Sequence, residues 1–263
     1  MTICIGAIAE NREKAVFAAD RMVTSTQLSV EFEHDEEKFE TLSPKCVALT
    51  AGEVLAPTEF FRAARAGIRD SPKISEIAHH VEEGFRNFRM KRVEDTLFLP
   101  RGITVRDFLQ AQRVMNPDVV LRLDRAIETN KVNALILIVG VDSDGAHLHQ
   151  VTDPGHSECF DKLGFHAIGS GLPHAISTFI SHNYAPHFSL KKATYVVYEA
   201  KKNAEKAPGV GLETDIGIVE DSGIRVIRGD EKKLLNEIYQ KRMQLIGSYS
   251  AEIESMINKL PIE

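Results

Sequence analysis

The chain opens on an apolar segment, Thr2-Ile-Cys-Ile-Gly-Ala-Ile-Ala9, and after the polar turn Glu10-Asn-Arg-Glu-Lys14 continues with a second, Ala15-Val-Phe-Ala-Ala-Asp20-Arg21. Two short apolar runs split by a turn predict a buried strand and its hairpin partner at the very start of the fold. Everything later must then build around a sheet that the N-terminus already occupies. The remaining patterns predict strands near 28–33, 38–42 and 45–51, followed by helices over Pro57 to Asp70 and Ser75 to Arg92. Strands near 133–141, 145–151 and 164–168 come next, joined by turns rich in Asp, Gly and Pro. Helices over 171–184 and 189–206 follow, the second with Ser189 as its cap. A hairpin, Thr214 to Glu220 and Gly223 to Arg228, and an amphipathic C-terminal helix complete the chain. Strands, helices, strands and helices again predict an α+β fold in which two antiparallel sheets lie between helix layers.

With 263 residues, 43% of them hydrophobic, the chain can bury one substantial core. The expectation is a single domain over 1–263, carrying a helical insertion at about 86–130 and a C-terminal extension at about 229–263. A formal charge of −6, without a basic stretch interleaved with aromatics, argues against nucleic acid as the main partner. The longest apolar run, Ala134 to Val141, is too short to span a bilayer, and the N-terminus lacks the basic region of a secretory signal. Cys4, Cys46 and Cys159 form a sparse, odd set, read as reduced core residues of a cytoplasmic protein. His79 and His80 are adjacent, so they point in different directions on a helix, and His147 and His149 lack an obvious third ligand. Neither a metal site nor a cofactor is expected. Gly169-Ser-Gly171-Leu-Pro-His does not complete a dinucleotide fingerprint.

Chemistry enters at Thr2. Removal of Met1 would leave a hydroxyl and a free α-amine on one residue, a nucleophile that carries its own base. Model α-amines titrate at about 7.7–8.0, so a useful fraction is neutral near pH 7. Three further features follow in order: Asp20 at the end of the second strand, Lys38 ahead of the strand Cys46-Val-Ala-Leu-Thr-Ala-Gly52, and Phe165-His-Ala-Ile-Gly169-Ser170-Gly171, a strand ending on a glycine turn.

In this order the four pieces resemble the β-type subunits of proteasomes and their simpler bacterial relatives, the N-terminal-nucleophile (Ntn) hydrolases. Supporting similarity lies in Gly140-Val-Asp-Ser-Asp-Gly145, in Asp153-Pro-Gly155 and in the helix opening at Ser189. The likeness covers most of the chain except 86–130 and the tail after about 228. It implies a four-layer αββα sandwich with a helical insertion and a C-terminal helix. It also implies a threonine-type peptidase acting through an acyl-enzyme on Thr2, within a self-compartmentalising homo-oligomer, a ring or a spiral. Peptide or unfolded protein would be the substrate, with an unfoldase as a possible partner.

Residue types argue the same roles independently. The Lys38 ammonium disfavours a second positive charge nearby and so keeps the amine basic. Asp20 holds that ammonium, since an unpaired buried charge is costly. The main-chain N–H of Gly52 can approach a developing oxyanion because no Cβ intervenes. The resemblance adds Ser170 to the catalytic set. By resemblance Thr50, Glu36 and Glu40 border the first specificity pocket, which would suit basic side chains.

One departure stands out. Active proteasome subunits hold the terminal amine with an Asp and a Ser where alignment on Gly211 and Asp215 places Ala207 and Val210. The amine is then held differently, by Glu205, Glu213 or Ser170, or activity is weak, altered or absent. Two alternatives therefore stand: a non-catalytic scaffold subunit, and an amide-bond transferase built from the same parts.

The insertion, Met90 to Thr129, predicts helices near Val105 to Gln112 and from Pro117, with proline at a helix start. Its apolar residues Phe98, Leu99, Phe108, Leu109, Val120, Leu121 and Leu123 need a partner surface. A neighbouring subunit, a cover over the site and an intrachain helical pair all satisfy that need.

Overall fold

The computed structural model describes residues 2–25, 30–35, 37–52, 56–68 and 72–260. It is a mixed α+β protein whose two main sheets are antiparallel throughout. The chain divides into two compact units, Met1–Arg225 and Val226–Glu263.

In the first unit, β1 (Ile3–Ala9) lies between β10 (Phe165–Gly169) and β2 (Lys14–Asp20). The sheet continues through β11 (Thr214–Glu220) to β12 (Gly223–Val226). The second sheet runs in chain order from β5 (Phe39–Ser43) through β6 (Cys46–Gly52), β7 (Ala134–Asp142) and β8 (Gly145–Thr152) to β9 (His156–Cys159). A separate ribbon pairs β3 (Met22–Ser25) with β4 (Val30–Glu33).

Side-chain alternation sorts the core. Val47, Leu49 and Ala51 of β6, with Leu137, Val139 and Val141 of β7, pack with Cys4, Ile8, Ala15, Phe17 and Ala19 of the first sheet. Cys46, Ala48, Ile136 and Ile138 point the other way. They bury Phe60, Phe61, Ile77, Val81 and Phe85 from α1 (Ala56–Gly67) and α2 (Ile74–Val93). Against β1, β2 and β10 pack α5 (Leu172–Ser181) and α6 (Leu190–Ala204). The expected cap is present: Ser189 Oγ accepts from the Lys192 N–H at 3.4 Å.

Several expectations shift. The strands β3 and β9 were not anticipated, because Met22-Val-Thr-Ser and His156-Ser-Glu-Cys carry no apolar alternation. The first long helix ends at Gly67, and Asp70 lies outside the described residues. Cys4 and Cys46 are core residues as read, but Cys159 is exposed at the end of β9.

The insertion extends α2 by a π-helical turn, Glu94–Phe98, and a 3-10 turn, Leu99–Arg101, before α3 (Val105–Ala111) and α4 (Pro117–Thr129). Val93, Phe98, Phe108 and Leu123 form a small core of their own, flanked by Met115, Val119 and Ile127. Part of the apolar surface is thus buried within the chain, while Leu99, Leu109 and Leu121 stay exposed. The second unit is dominated by α7 (Gly229–Ile257), with Tyr239 buried and Ile246, Tyr249, Ile253 and Met256 exposed.

Among the described residues no helix is long and apolar enough to cross a membrane, and no group of three or more His, Cys, Asp or Glu is arranged to hold a metal ion.

Candidate active site

Antiparallel pairing of β1 with β2 brings the start of the first strand beside the end of the second, so Thr2 meets Asp20. Both are buried. The Thr2 hydroxyl donates to Asp20 Oδ1, and Lys38 Nζ donates both to Thr2 Oγ1 and, at 2.8 Å, to Asp20 Oδ1. Lys38 reaches the pair from just before β5, anchored where its carbonyl accepts the Thr50 N–H at 3.3 Å.

Asp20 does more than balance Lys38. Its Oδ1 accepts the Ile3 N–H at 3.1 Å, and its Oδ2 accepts those of Gly211 at 2.8 Å and Met22 at 3.2 Å. A buried carboxylate with this many donors is compensated for the loss of water. The same bonds tie β1, the β2–β3 junction and the loop before β11 to one side chain.

Ser170 lies where β10 turns toward α5. Its Oγ accepts from the Thr2 main-chain nitrogen at 3.3 Å and donates toward the Thr2 and Pro208 carbonyls at 3.4 and 3.3 Å. It is not a helix cap, because α5 begins after Gly171 without a side-chain capping bond. Of the groups considered for holding the Thr2 amine, Ser170 is the one bonded to that nitrogen. Glu205 is engaged by Lys201 and Lys202, and the Glu213 main chain donates to Glu33. Ala207 and Val210 are buried.

Two glycines are sterically required. Gly169 (φ +101°) adopts a conformation rare for L-residues, and a Cβ there would collide with the Thr2 carbonyl. Gly52 (φ +100°), paired with Ala134, would likewise collide with the Asn133 oxygen. Thr2, Gly52, Gly169 and Ser170 share a cleft of about 540 Å³ with the turn Lys131 to Leu135 and with Thr152 and Asp153. That volume lies within the usual range of about 300–1,000 Å³ for small-ligand sites.

The expected specificity residues are placed differently. Glu36 lies outside the described residues. Thr50 and Glu40 do not line the cleft. The Thr50 carbonyl accepts from Cys4 Sγ at 3.4 Å, and Glu40 pairs with Arg65 at 2.6 Å.

Two supporting residues went unread in the sequence. Lys201, fully buried on α6, donates to Glu205 at 2.6 Å and to the carbonyls of Gly211 and Leu212 at 2.8 and 2.9 Å. Burial lowers its pKa, partly offset by Glu205. It thereby fixes the loop that presents the Gly211 N–H to Asp20. Arg21 grips Asp215 with two bonds, at 2.8 and 2.6 Å. The only sequence signal for the first was the Lys201–Glu205 spacing of one helical turn. Cys4, one strand position past Ile3, has its thiol pKa raised, first by burial and then by Asp20, so it stays protonated. Compared with known proteins, the chain matches no family model and no curated protein.

Proposed function

We propose that the protein is a threonine-type peptidase of the N-terminal-nucleophile class, built as a four-layer αββα sandwich and working within a homo-oligomer. The observation that carries this reading is the contact of one buried hydroxyl, Thr2 Oγ1, with both Lys38 and Asp20 at the edge of an open cleft. A threonine placed only for structure has no need of a largely buried ammonium beside its hydroxyl.

In the proposed reaction Met1 is first removed. The freed α-amine, held by Ser170, takes the Thr2 hydroxyl proton as Oγ1 attacks the substrate carbonyl carbon. The C–O bond forms, the carbonyl electron pair moves to oxygen, and the Gly52 N–H stabilises that oxyanion. Collapse expels the amine product, which receives the proton from the α-amine. Water then attacks the Thr2 ester by the same route and releases the acid. Lys38 supplies fixed positive charge next to the reacting oxygen, and Asp20 keeps that charge oriented. An amine in place of water would make the same site a transferase.

Intact-mass spectrometry of the isolated protein tests this reading. The expected result is a chain lacking Met1 that gains the full mass of a β-lactone at Thr2, with the adduct absent in Thr2→Ala and quenched peptides cleaved by the native chain alone. Retained Met1, or a processed chain that takes no adduct, would favour the scaffold reading. That reading draws on the apolar Ala207 and Val210, which offer the amine no hydrogen bond.

A further inference from the structure

The cleft beside Thr2 contains two ionisable side chains besides the Thr2 group itself, Lys131 and Asp153, and they are in opposite situations. Asp153 is already matched: it accepts the Val132 N–H at 2.9 Å and pairs with Arg89 at 3.3 Å. Lys38, behind Thr2, is matched by Asp20. The Lys131 residue is exposed, and its side chain has no hydrogen bond or ion pair to any described residue. Among the described residues, the cleft therefore presents one uncompensated ammonium, with the exposed Asn133 beside it in the same lining.

Lys131 is held there by the fold. It follows α4 after the capping residue Asn130, and the Lys131 N–H donates to Thr129 O at 3.0 Å. The Arg89 guanidinium also donates to Ile127 O at 3.1 Å, so one arginine ties both the end of α4 and Asp153 to α2. The helical insertion thus delivers a cation to the cleft at a defined place.

We infer that this cleft takes a substrate carboxylate, with Lys131 as its ion partner. The carboxylate is either an Asp or Glu side chain of the bound peptide or the peptide's own C-terminus. This rests on the reading of Thr2 as the acylating nucleophile, since that reading makes the cleft a peptide site. It reverses the preference for basic side chains expected from Glu36 and Glu40, of which Glu40 is paired with Arg65 away from the cleft lining.

Fluorescence anisotropy on the full-length Thr2→Ala chain, which binds without turnover, provides the test. The probes are fluorescein-labelled alanine tetrapeptides carrying Glu, Gln or Lys at each position as C-terminal amides, and the all-alanine peptide as acid and as amide. A partly exposed ion pair corresponds to about threefold to fivefold in affinity, so one Glu peptide, or the free acid, should bind tighter than its uncharged counterpart by that factor. Gain by a Glu amide identifies a side chain; gain by the free acid alone identifies the C-terminus. Lys131→Gln should erase the difference, and Lys131→Glu should reverse it in favour of the Lys peptides. Equal binding of all probes, no binding by any, or a preference that survives Lys131→Gln would overturn the inference. Because binding is read without Thr2, its failure is distinguishable from absence of the Thr2 adduct in the native chain.

Discussion

Asp20 accepts three main-chain N–H groups in addition to the Thr2 hydroxyl and the Lys38 ammonium, so its role is structural as well as electrostatic. Asp20→Ala would leave a largely buried ammonium unpaired and three donors unsatisfied, a loss of about 3–5 kcal/mol by analogy with broken buried pairs. Urea denaturation should show this as a lower midpoint at unchanged slope. Asp20→Asn keeps an acceptor for some of these donors and should lose less. Thr2→Ala removes only one donor from the carboxylate and should change stability little, which separates the chemical from the architectural role at this site. Lys201 shows the limit of reading residues in a line. In the sequence it stands in Lys201-Lys-Asn, the pattern of a solvated helix face, yet it is fully buried while Lys202 is partly exposed.

At the scale of elements, the insertion is a test of local cooperativity. Its four buried side chains, Val93, Phe98, Phe108 and Leu123, form a core distinct from those that the sheets build. Phe98 and Phe108 face each other with ring centres 5.2 Å apart. Removing one aromatic ring from a small core costs about 3–5 kcal/mol. Phe108→Ala should therefore open residues 94–129 preferentially. Hydrogen exchange would show lost protection there and retained protection in β1, β2 and β7; uniform loss would mean that the insertion unfolds only with the sheets. The helix from Pro117 was legible because proline marks its start, whereas the caps made by Thr104 and Asn116 were found only in the structure. The π-helical turn that joins this region to α2 has no such signal.

Across the molecule, the contact between the two sheets includes a titratable group. His166 of β10 stacks on Phe160 at 3.6 Å and bonds through Nε2 to Gln150 of β8. Burial pushes its pKa down from 6.5 to about 4. The unfolded chain then takes up a proton near pH 6.5 that the folded chain accepts only near pH 4, so stability falls as pH drops through that window. His166→Gln should lessen the fall of the melting temperature between pH 6.5 and 4, with half-buried His149 keeping part of it; an unchanged slope would place the acid sensitivity elsewhere. The apolar runs that became β1, β2, β6 and β7, the turn residues between them and the capped helices were all determined by the sequence itself, because each depends on spacing within a few residues. Thr2, Asp20, Lys38 and Gly52 also lie within one stretch of sequence, and their order was readable there. What held them was decided only by the tertiary structure: Ser170 reaching Thr2 across 168 positions, the Gly211 N–H reaching Asp20 across 191, and Lys201 buried under that loop. Likewise Lys131 entered the cleft, while Glu40 was drawn to Arg65. Burial and the matching of charges depend on which distant segments become neighbours, and no local pattern encodes that.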